Sequence, residues 1–341
     1  MEARTTPPAI ELTSAQLALV RGRLGSRVHR TPVLASRLLN RLAGSELLLK
    51  AEHLQRGGSF KIRGALNFLM TLAGAERERG VITASSGNHG QAVALAAHEL
   101  GIAATVVVPE DIAGVKAAAI RDYGAAVEIA GRSSAERLAR AQAIAAESGA
   151  IFVPPYDHPR IVEGQATTAA ELLEDAPGVE AVAVPVGGGG LIAGIALAVK
   201  LIAPSVRVVG VETAAADDAN RSFRAGKRVR IDHPNTIADG IRNLELGALN
   251  WEVIRTHVDD MVTVSDAEVM EAMRLLLTRA KVVAEPTGAV APAAVLAGRV
   301  RGARVAAIVS GGNLDPALLA GLLGQVAEAD AAAPAGAQSK L

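Results

Sequence analysis

The chain of 341 residues contains no cysteine. That removes disulfides, iron–sulfur clusters, thiolate zinc sites and cysteine nucleophiles together. Aromatic residues are scarce: four Phe, two Tyr and one Trp make up 2% of the chain, too few for a platform that stacks single-stranded nucleic acid. There is no excess of either charge, since Lys+Arg and Asp+Glu both total 35. A protein built chiefly to grip nucleic acid or an acidic membrane would carry such an excess. Apolar stretches such as 191–199 are too short to span a bilayer and contain glycine. Residues 1–10 show no basic region followed by an apolar run, so no secretory signal is expected. What is present is a chain 50% hydrophobic and 21% charged, enough to bury a substantial core and incompatible with wholesale disorder. The expected class is a soluble, cytoplasmic globular protein.

Short apolar runs alternate with Ala/Leu-rich helical stretches. Strands are expected at 81–83, 104–109, 126–129, 151–154, 181–186, 206–212, 261–264 and 304–309. These runs are nearly continuous in hydrophobicity, the pattern of strands covered on both faces. Helices are expected at 65–72, 91–100, 115–122, 134–148, 165–175, 191–202 and 266–280. Such alternation predicts an α/β fold with mostly parallel sheets, and the number of strands predicts two sheets. No repeat of fixed period is present. From Gln325 onward the chain is Ala-rich without an apolar period, so 325–341 is expected to be a disordered tail. It ends in Ser339-Lys340-Leu341, which matches the peroxisomal import tripeptide; coincidence in a low-complexity tail is the alternative.

Four segments carry chemistry. Gly187-Gly188-Gly189-Gly190-Leu191 follows a strand and precedes a helix. Bare backbone N–H groups and the positive end of a helix dipole make an anion site there, most naturally for a phosphate. Gly188-x-Gly190-x-x-Ala193, with Glu212 at the end of the next strand, also fits a dinucleotide fingerprint. The second segment, Ser59-Phe60-Lys61-Ile62, sets one lysine between apolar neighbours and glycines. Lys61 is either a surface charge or an amine of depressed pKa that can attack an aldehyde. The third is Ser85-Ser86-Gly87-Asn88-His89. Its hydroxyls, amide, imidazole and helix N-terminal N–H groups suit a carboxylate, although Ser86 or Asn88 could simply cap the helix. The fourth, Ser310-Gly311-Gly312-Asn313, falls at the carboxyl edge of a sheet, where open α/β sheets place ligands, unless it is an ordinary turn.

In this order, the four segments resemble the pyridoxal-phosphate enzymes of fold type II, whose sheets are arranged as in the tryptophan synthase β chain. The match is best to the serine/threonine dehydratase family, which includes serine racemase. The resemblance runs from Thr31 to Asn313. It implies pyridoxal 5'-phosphate rather than a nicotinamide nucleotide, because that family uses both the lysine and the glycine loop. By the resemblance, Lys61 holds the cofactor through its amine and Phe60 packs on the ring. Asn88 bonds the phenolic oxygen, Gly187, Gly188, Gly189, Gly190 and Leu191 bind the phosphate, and Ser310 faces the pyridine nitrogen. Gly240 and Glu285 fall near the ring. Ser85, Ser86, Asn88 and His89 surround the substrate carboxylate. A neutral Ser310 does not enforce pyridine protonation, which favours prompt loss of a β-leaving group over deeper delocalisation. Lys61 is the expected catalytic base. Ser86 is the second candidate catalytic residue, placed to reprotonate from the opposite side in racemase members.

The resemblance implies β-elimination from a β-hydroxy amino acid, L-threonine or L-serine, giving a 2-oxo acid and ammonia. Alternatives are a serine- or aspartate-type racemase, or a dehydratase for a larger substrate such as hydroxyaspartate or a hydroxyectoine breakdown product. A non-catalytic nucleotide-binding protein is the distant alternative. The resemblance further implies a Mg²⁺ or Ca²⁺ site at Glu212, the Ala216 carbonyl and Asp218, or else a solvated acidic turn. Two departures from the family pattern stand out, Thr213 in place of Pro and Ala166 in place of Gly. The large cofactor domain is expected at 1–71 and 156–324, with a small domain inserted at 72–155. About 28 residues follow Asn313, so the regulatory domain of the biosynthetic threonine enzymes is not expected. The expected partners are a small amino-acid substrate and a second copy of the chain in a homodimer, with no nucleic acid and no membrane.

Overall fold

The computed structural model describes residues 10–332 except Ser86, Asp111, Ala113 and Arg132, and leaves out the side chains of Val115, Lys116, Ser134 and 325–332. The strands are β1 (Val33–Ala35), β2 (Glu46–Lys50), β3 (Val81–Ala84), β4 (Ala104–Val108), β5 (Ala126–Ile129), β6 (Ile151–Phe152), β7 (Ala181–Pro185), β8 (Arg207–Thr213), β9 (Asp260–Val264) and β10 (Arg304–Ile308). The helices are α1 (Ser14–Leu24), α2 (Arg37–Ala43), α3 (Lys61–Met70), α4 (Gly74–Glu78), α5 (Asn88–Leu100), α6 (Gly114–Asp122) and α7 (Ser134–Ser148), then α8 (Pro159–Asp175), α9 (Gly190–Ile202), α10 (Asp218–Ala225), α11 (Ala248–His257), α12 (Asp266–Leu275), α13 (Pro286–Leu296) and α14 (Pro316–Ala332).

Two sheets form, as the alternation predicts. One has six strands in the order β1-β2-β10-β7-β8-β9; the other has four, β5-β4-β3-β6. All pairings are parallel except β1 with β2. Parallel pairing needs crossover helices, and these cover both faces of the large sheet. On one face Val182, Val184, Val208 and Ile308 pack against α8, α9 and α11. On the other Ala183, Val209, Val211 and Ala307 pack against α12 and α13. This period-two split is why the strand sequences read as unbroken apolar runs. Helix α9 is buried from Gly190 to Val199, consistent with its lack of a polar face.

Several boundaries differ from the sequence expectation. The expected pattern does not include strands β1 and β2 or helices α1, α2, α4, α10, α11, α13 and α14. The run expected as one helix at 266–280 is α-helical to Leu275 and then π-helical over Leu276–Ala280. Strand β6 is shorter than expected, and β5 is partly solvent-exposed rather than covered on both faces. Helix α14 continues past Gln325 to Ala332, and Ser339-Lys340-Leu341 lies outside the described residues. Ala166 is fully buried in the large core. It sits where α8 meets α9 at Gly194, whose Cβ, if present, would lie 2.7 Å from the Ala166 nitrogen. Among the described residues no helix is long and apolar enough to cross a membrane.

Candidate active site

The carboxyl ends of both sheets converge on one cleft of about 280 Å³. Phe60, Lys61, Ser85, Asn88, His89, Gly187 to Leu191, Gly240, Glu285 and Ser310 all line it. The four motifs, distant in sequence, therefore meet at one place. Ser86 lies outside the described residues.

Lys61 opens α3, and its Nζ donates to the Pro155 carbonyl at 2.8 Å. Burial pushes this amine down to about 8, because a desolvated ammonium loses more than a desolvated amine. The Phe60 ring lies 5.3 Å from the Lys61 nitrogen. The segment is locked from both sides. Phe60 N–H donates to the Ser310 carbonyl at 3.1 Å, and Gly312 N–H donates to the Gly58 carbonyl at 2.9 Å. Asn313 Nδ2 donates to the Gly57 carbonyl at 2.9 Å. Gly57 and Gly58 have φ of 69° and 74°, and a Cβ on Gly58 would lie 2.2 Å from Asn313 Oδ1. Both the backbone conformation and the close approach require glycine there.

Beneath Lys61, α3 is held by buried charge. Arg63 donates to both oxygens of Glu52, at 2.8 and 2.8 Å, and to Glu171 at 2.7 and 2.8 Å. Lys50 Nζ donates to Glu171 Oε2 at 2.8 Å. Burial alone would raise the Glu52 carboxyl, but the Arg63 charge and hydrogen bonds outweigh it and hold Glu52 below its ordinary value.

The glycine loop stands at the N-terminus of α9. Each glycine has its own reason. Gly189 has φ of 93°, a region closed to most side chains. A Cβ on Gly187 would lie 2.6 Å from Asn243 Oδ1, and one on Gly188 would lie 2.4 Å from the Tyr156 ring. A Cβ on Gly190 would lie 2.9 Å from the Tyr156 carbonyl oxygen. The loop thus presents bare N–H groups beside a helix N-terminus, an anion cradle.

On the small-sheet side, Asn88 is held in place: Nδ2 donates to Glu285 at 2.6 Å and Oδ1 accepts from Asn313 at 2.8 Å. His89 is buried, with Nε2 3.2 Å from the Val153 carbonyl, so Nε2 carries the hydrogen. Burial, and then the Lys61 charge, push its pKa down to about 3, leaving the imidazole neutral. Ser310 Oγ is buried and makes one long bond of 3.4 Å to the Thr287 carbonyl. Gly240 N–H donates to Thr287 Oγ1 at 3.0 Å.

Sequence reasoning missed Arg137, Tyr156, Asp239, Asn243 and Thr287, which also line the cleft. Tyr156 follows β6 and Pro155, so a position at a sheet's carboxyl edge was the available signal. Arg137 offered none: it reads as one more arginine on an exposed helix.

Glu212, Ala216 and Asp218 come together at the start of α10. Glu212 and Asp218 are fully buried. Glu212 accepts from Ala219 and Asn220 N–H at 3.1 and 2.7 Å, whereas neither Asp218 oxygen has a partner from another residue. Burial, and next the Asp218 charge, raise Glu212 well above its ordinary value; burial pushes Asp218 up to about 7. Thr213 pairs with Ala216 in an isolated bridge. Among the described residues no three His, Asp or Glu side chains cluster as metal ligands.

The profile of the family described as pyridoxal-phosphate dependent enzyme matches residues 25–311. L-threo-3-hydroxyaspartate ammonia-lyase from Saccharomyces cerevisiae is 44% identical over 295 residues, 86% of this chain and 90% of that one. L-threonine ammonia-lyase from Thermotoga maritima is 45% identical over 289 residues, 84% of this chain and 72% of that one. Among solved structures, maize serine racemase superposes with a TM-score of 0.88 at 37% identity, covering 94% of this chain and 99% of that one.

Proposed function

Because the chain belongs to the pyridoxal-phosphate-dependent enzymes of fold type II, we propose that its cleft eliminates the β-hydroxyl of a β-hydroxy amino acid, L-threonine or L-serine, releasing a 2-oxo acid and ammonia. The observation that carries this reading is an amine lowered to about 8 in the same cavity as a four-glycine anion cradle. A group bearing an aldehyde and a phosphate fits that pair of features: the amine suits the aldehyde, and the bare N–H groups suit the phosphate.

Bound there, pyridoxal phosphate supplies an electron sink for the pair left when the substrate Cα proton departs. Lys61 Nζ would hold the cofactor, and as a free amine it would accept that proton. Gly187 to Gly190 and Leu191 would hold the phosphate, Phe60 and Gly240 would contact the ring, and Ser310 would be a neutral partner for its nitrogen. Asn88 orients the ring oxygen, with its own amide set by Glu285 and Asn313. Ser85, Asn88 and neutral His89 receive the substrate carboxylate. Ser86 carries the proton on the other side if the chain racemises. The small-sheet wall, residues 72–155, closes over the substrate and excludes water. The buried oxygens of Glu212 and Asp218, with the Ala216 carbonyl, form a hard donor set suited to Mg²⁺ or Ca²⁺.

A second reading, a substrate with a second carboxylate such as hydroxyaspartate, is favoured by Arg137. This residue is 8% exposed and lines the cleft from the small-sheet side, and the planar donor fork of an arginine is the usual reader of a carboxylate. The test is a visible spectrum of the purified protein with 2-oxo acid assayed after L-threonine, L-serine or L-threo-3-hydroxyaspartate. We expect a band that shifts with substrate as oxo acid accumulates, and in Lys61→Ala no lysine-bound band and a rate lower by about 10³-fold or more. An unchanged band in Lys61→Ala would overturn the assignment. A band without oxo acid would redirect it to racemisation.

A further inference from the structure

Three of the four loop glycines have no left-handed backbone to explain them; among Gly187 to Gly190 only Gly189 has a positive φ. For Gly188 the three atoms nearest a built Cβ all belong to the Tyr156 ring, at 2.4, 2.5 and 2.5 Å. The ring therefore lies face-on against the Gly188 backbone. At Gly190 the nearest atoms are the Tyr156 carbonyl oxygen, Cβ and Cα, at 2.9, 3.0 and 3.1 Å. Two glycines thus accommodate one residue.

Tyr156 is itself held in place. The preceding Pro155 carbonyl accepts from Lys61 at 2.8 Å. Asn250 Nδ2 donates to both the Tyr156 carbonyl, at 3.3 Å, and the Gly188 carbonyl, at 2.8 Å. The following Asp157 accepts from three N–H groups at the start of α11, at 2.9, 3.1 and 3.1 Å. The phenol faces Asn243, whose Oδ1 in turn lies against Gly187. One short segment therefore touches the reactive amine, the anion cradle and the helix behind it.

We propose that Tyr156 is a positioning residue that clamps the anion cradle with its ring, and that glycine is required at 188 by this ring rather than by the bound anion. The inference rests on the reading of the cleft as the pyridoxal-phosphate site. A flat ring seated on a glycine backbone stiffens the loop from its side. The N–H groups then converge before the phosphate arrives, and less ordering is left to binding.

The test is a double-mutant cycle on the full chain, with Gly188→Ala, Tyr156→Ala and their combination. The readouts are the dissociation constant of pyridoxal phosphate for cofactor-free protein, from the visible band, and competition by inorganic phosphate, which probes the cradle alone. Overpacking at Gly188→Ala should weaken both by roughly 10- to 100-fold. Tyr156→Ala should weaken both by about fivefold, and Tyr156→Phe, which keeps the ring, should recover most of that loss. In the Tyr156→Ala background the added methyl should cost about twofold or less, because its collision partner is gone. Losses that multiply in the double variant would overturn the proposal. If Gly188→Ala does not fold, the double variant should; failure of both would equally overturn it. No visible band in the wild-type protein would instead sink the cofactor reading itself.

Discussion

The two walls of the cleft are built differently. The large-sheet wall carries the glycine loop and Ser310 at the ends of strands covered on both faces, and anchors α3, which Lys61 opens, with the buried group of Lys50, Glu52, Arg63 and Glu171. The small-sheet wall carries Ser85, Asn88, His89 and Arg137 over a thinner core. Its outer core is small, with Ala94, Val106, Val108, Ile120 and Ala125 on one side and Ile82, Val107 and Ala141 on the other, while Val81, Val93, Ala96 and Val153 join α5 to α3 in a larger cluster. Its β5 strand is partly exposed along its length. Local stability follows buried apolar contact. The wall proposed to hold the cofactor is thus the more deeply packed one, and the outer part of the opposite wall has the smaller core.

Removing the anchor of the large-sheet wall should give the largest effect. Arg63→Met leaves Glu52 and Glu171 buried without the guanidinium that pairs both. Breaking one partner of a buried ion network typically costs about 3–5 kcal/mol. Urea unfolding of the cofactor-free variant should show that loss, and adding Glu52→Gln should recover part of it, since the two effects are coupled. A cost below about 1 kcal/mol would mean that this wall is held by apolar packing, not by ions.

The small-sheet wall should respond in specificity instead. Arg137→Gln should lower kcat/KM for L-threo-3-hydroxyaspartate by about 10- to 100-fold, the scale of a lost charge-assisted hydrogen bond, with a smaller loss for L-threonine. Equal losses on both substrates would assign Arg137 to the architecture of the wall and remove the argument for a second carboxylate.

Sequence alone reveals all four strands of the small sheet but only four of the six in the large one, and the reason is physical. Strands β7, β8 and β10 are buried on both faces, so nothing polar interrupts them. Backbone demands such as φ at Gly57, Gly58 and Gly189 leave glycine as a visible trace. By contrast, β2 reads Glu-Leu-Leu-Leu-Lys, which suits a helix equally well. It is a strand because β10 pairs with it and because Glu171 neutralises buried Lys50. The contact of Tyr156 with the glycine loop leaves no trace for a related reason: its partner, Gly188, is 32 positions away. A contact between distant segments marks neither sequence by itself. The Gly187–Gly190 loop read as a ligand motif, whereas the structure shows that part of its glycine content answers to a neighbouring ring.

The smallest effect is a pH dependence that compares the two walls directly. Burial lowers the Lys61 amine to about 8, and the same cleft holds His89 neutral, with its pKa down to about 3. Only the free amine attacks an aldehyde, so its fraction sets how fast cofactor-free protein captures pyridoxal phosphate. Below its pKa that fraction rises about tenfold per pH unit, and above it the fraction is constant. The rate of band formation should therefore climb up to about pH 8 and then level. An ordinary lysine would keep climbing toward about pH 10.4. His89 adds no inflection in this range, because it is uncharged throughout. A rate still rising above about pH 9.5 would mean that the amine is solvated like a surface lysine, and that the large-sheet wall, for all its packing, does not close around Lys61 until the cofactor is bound.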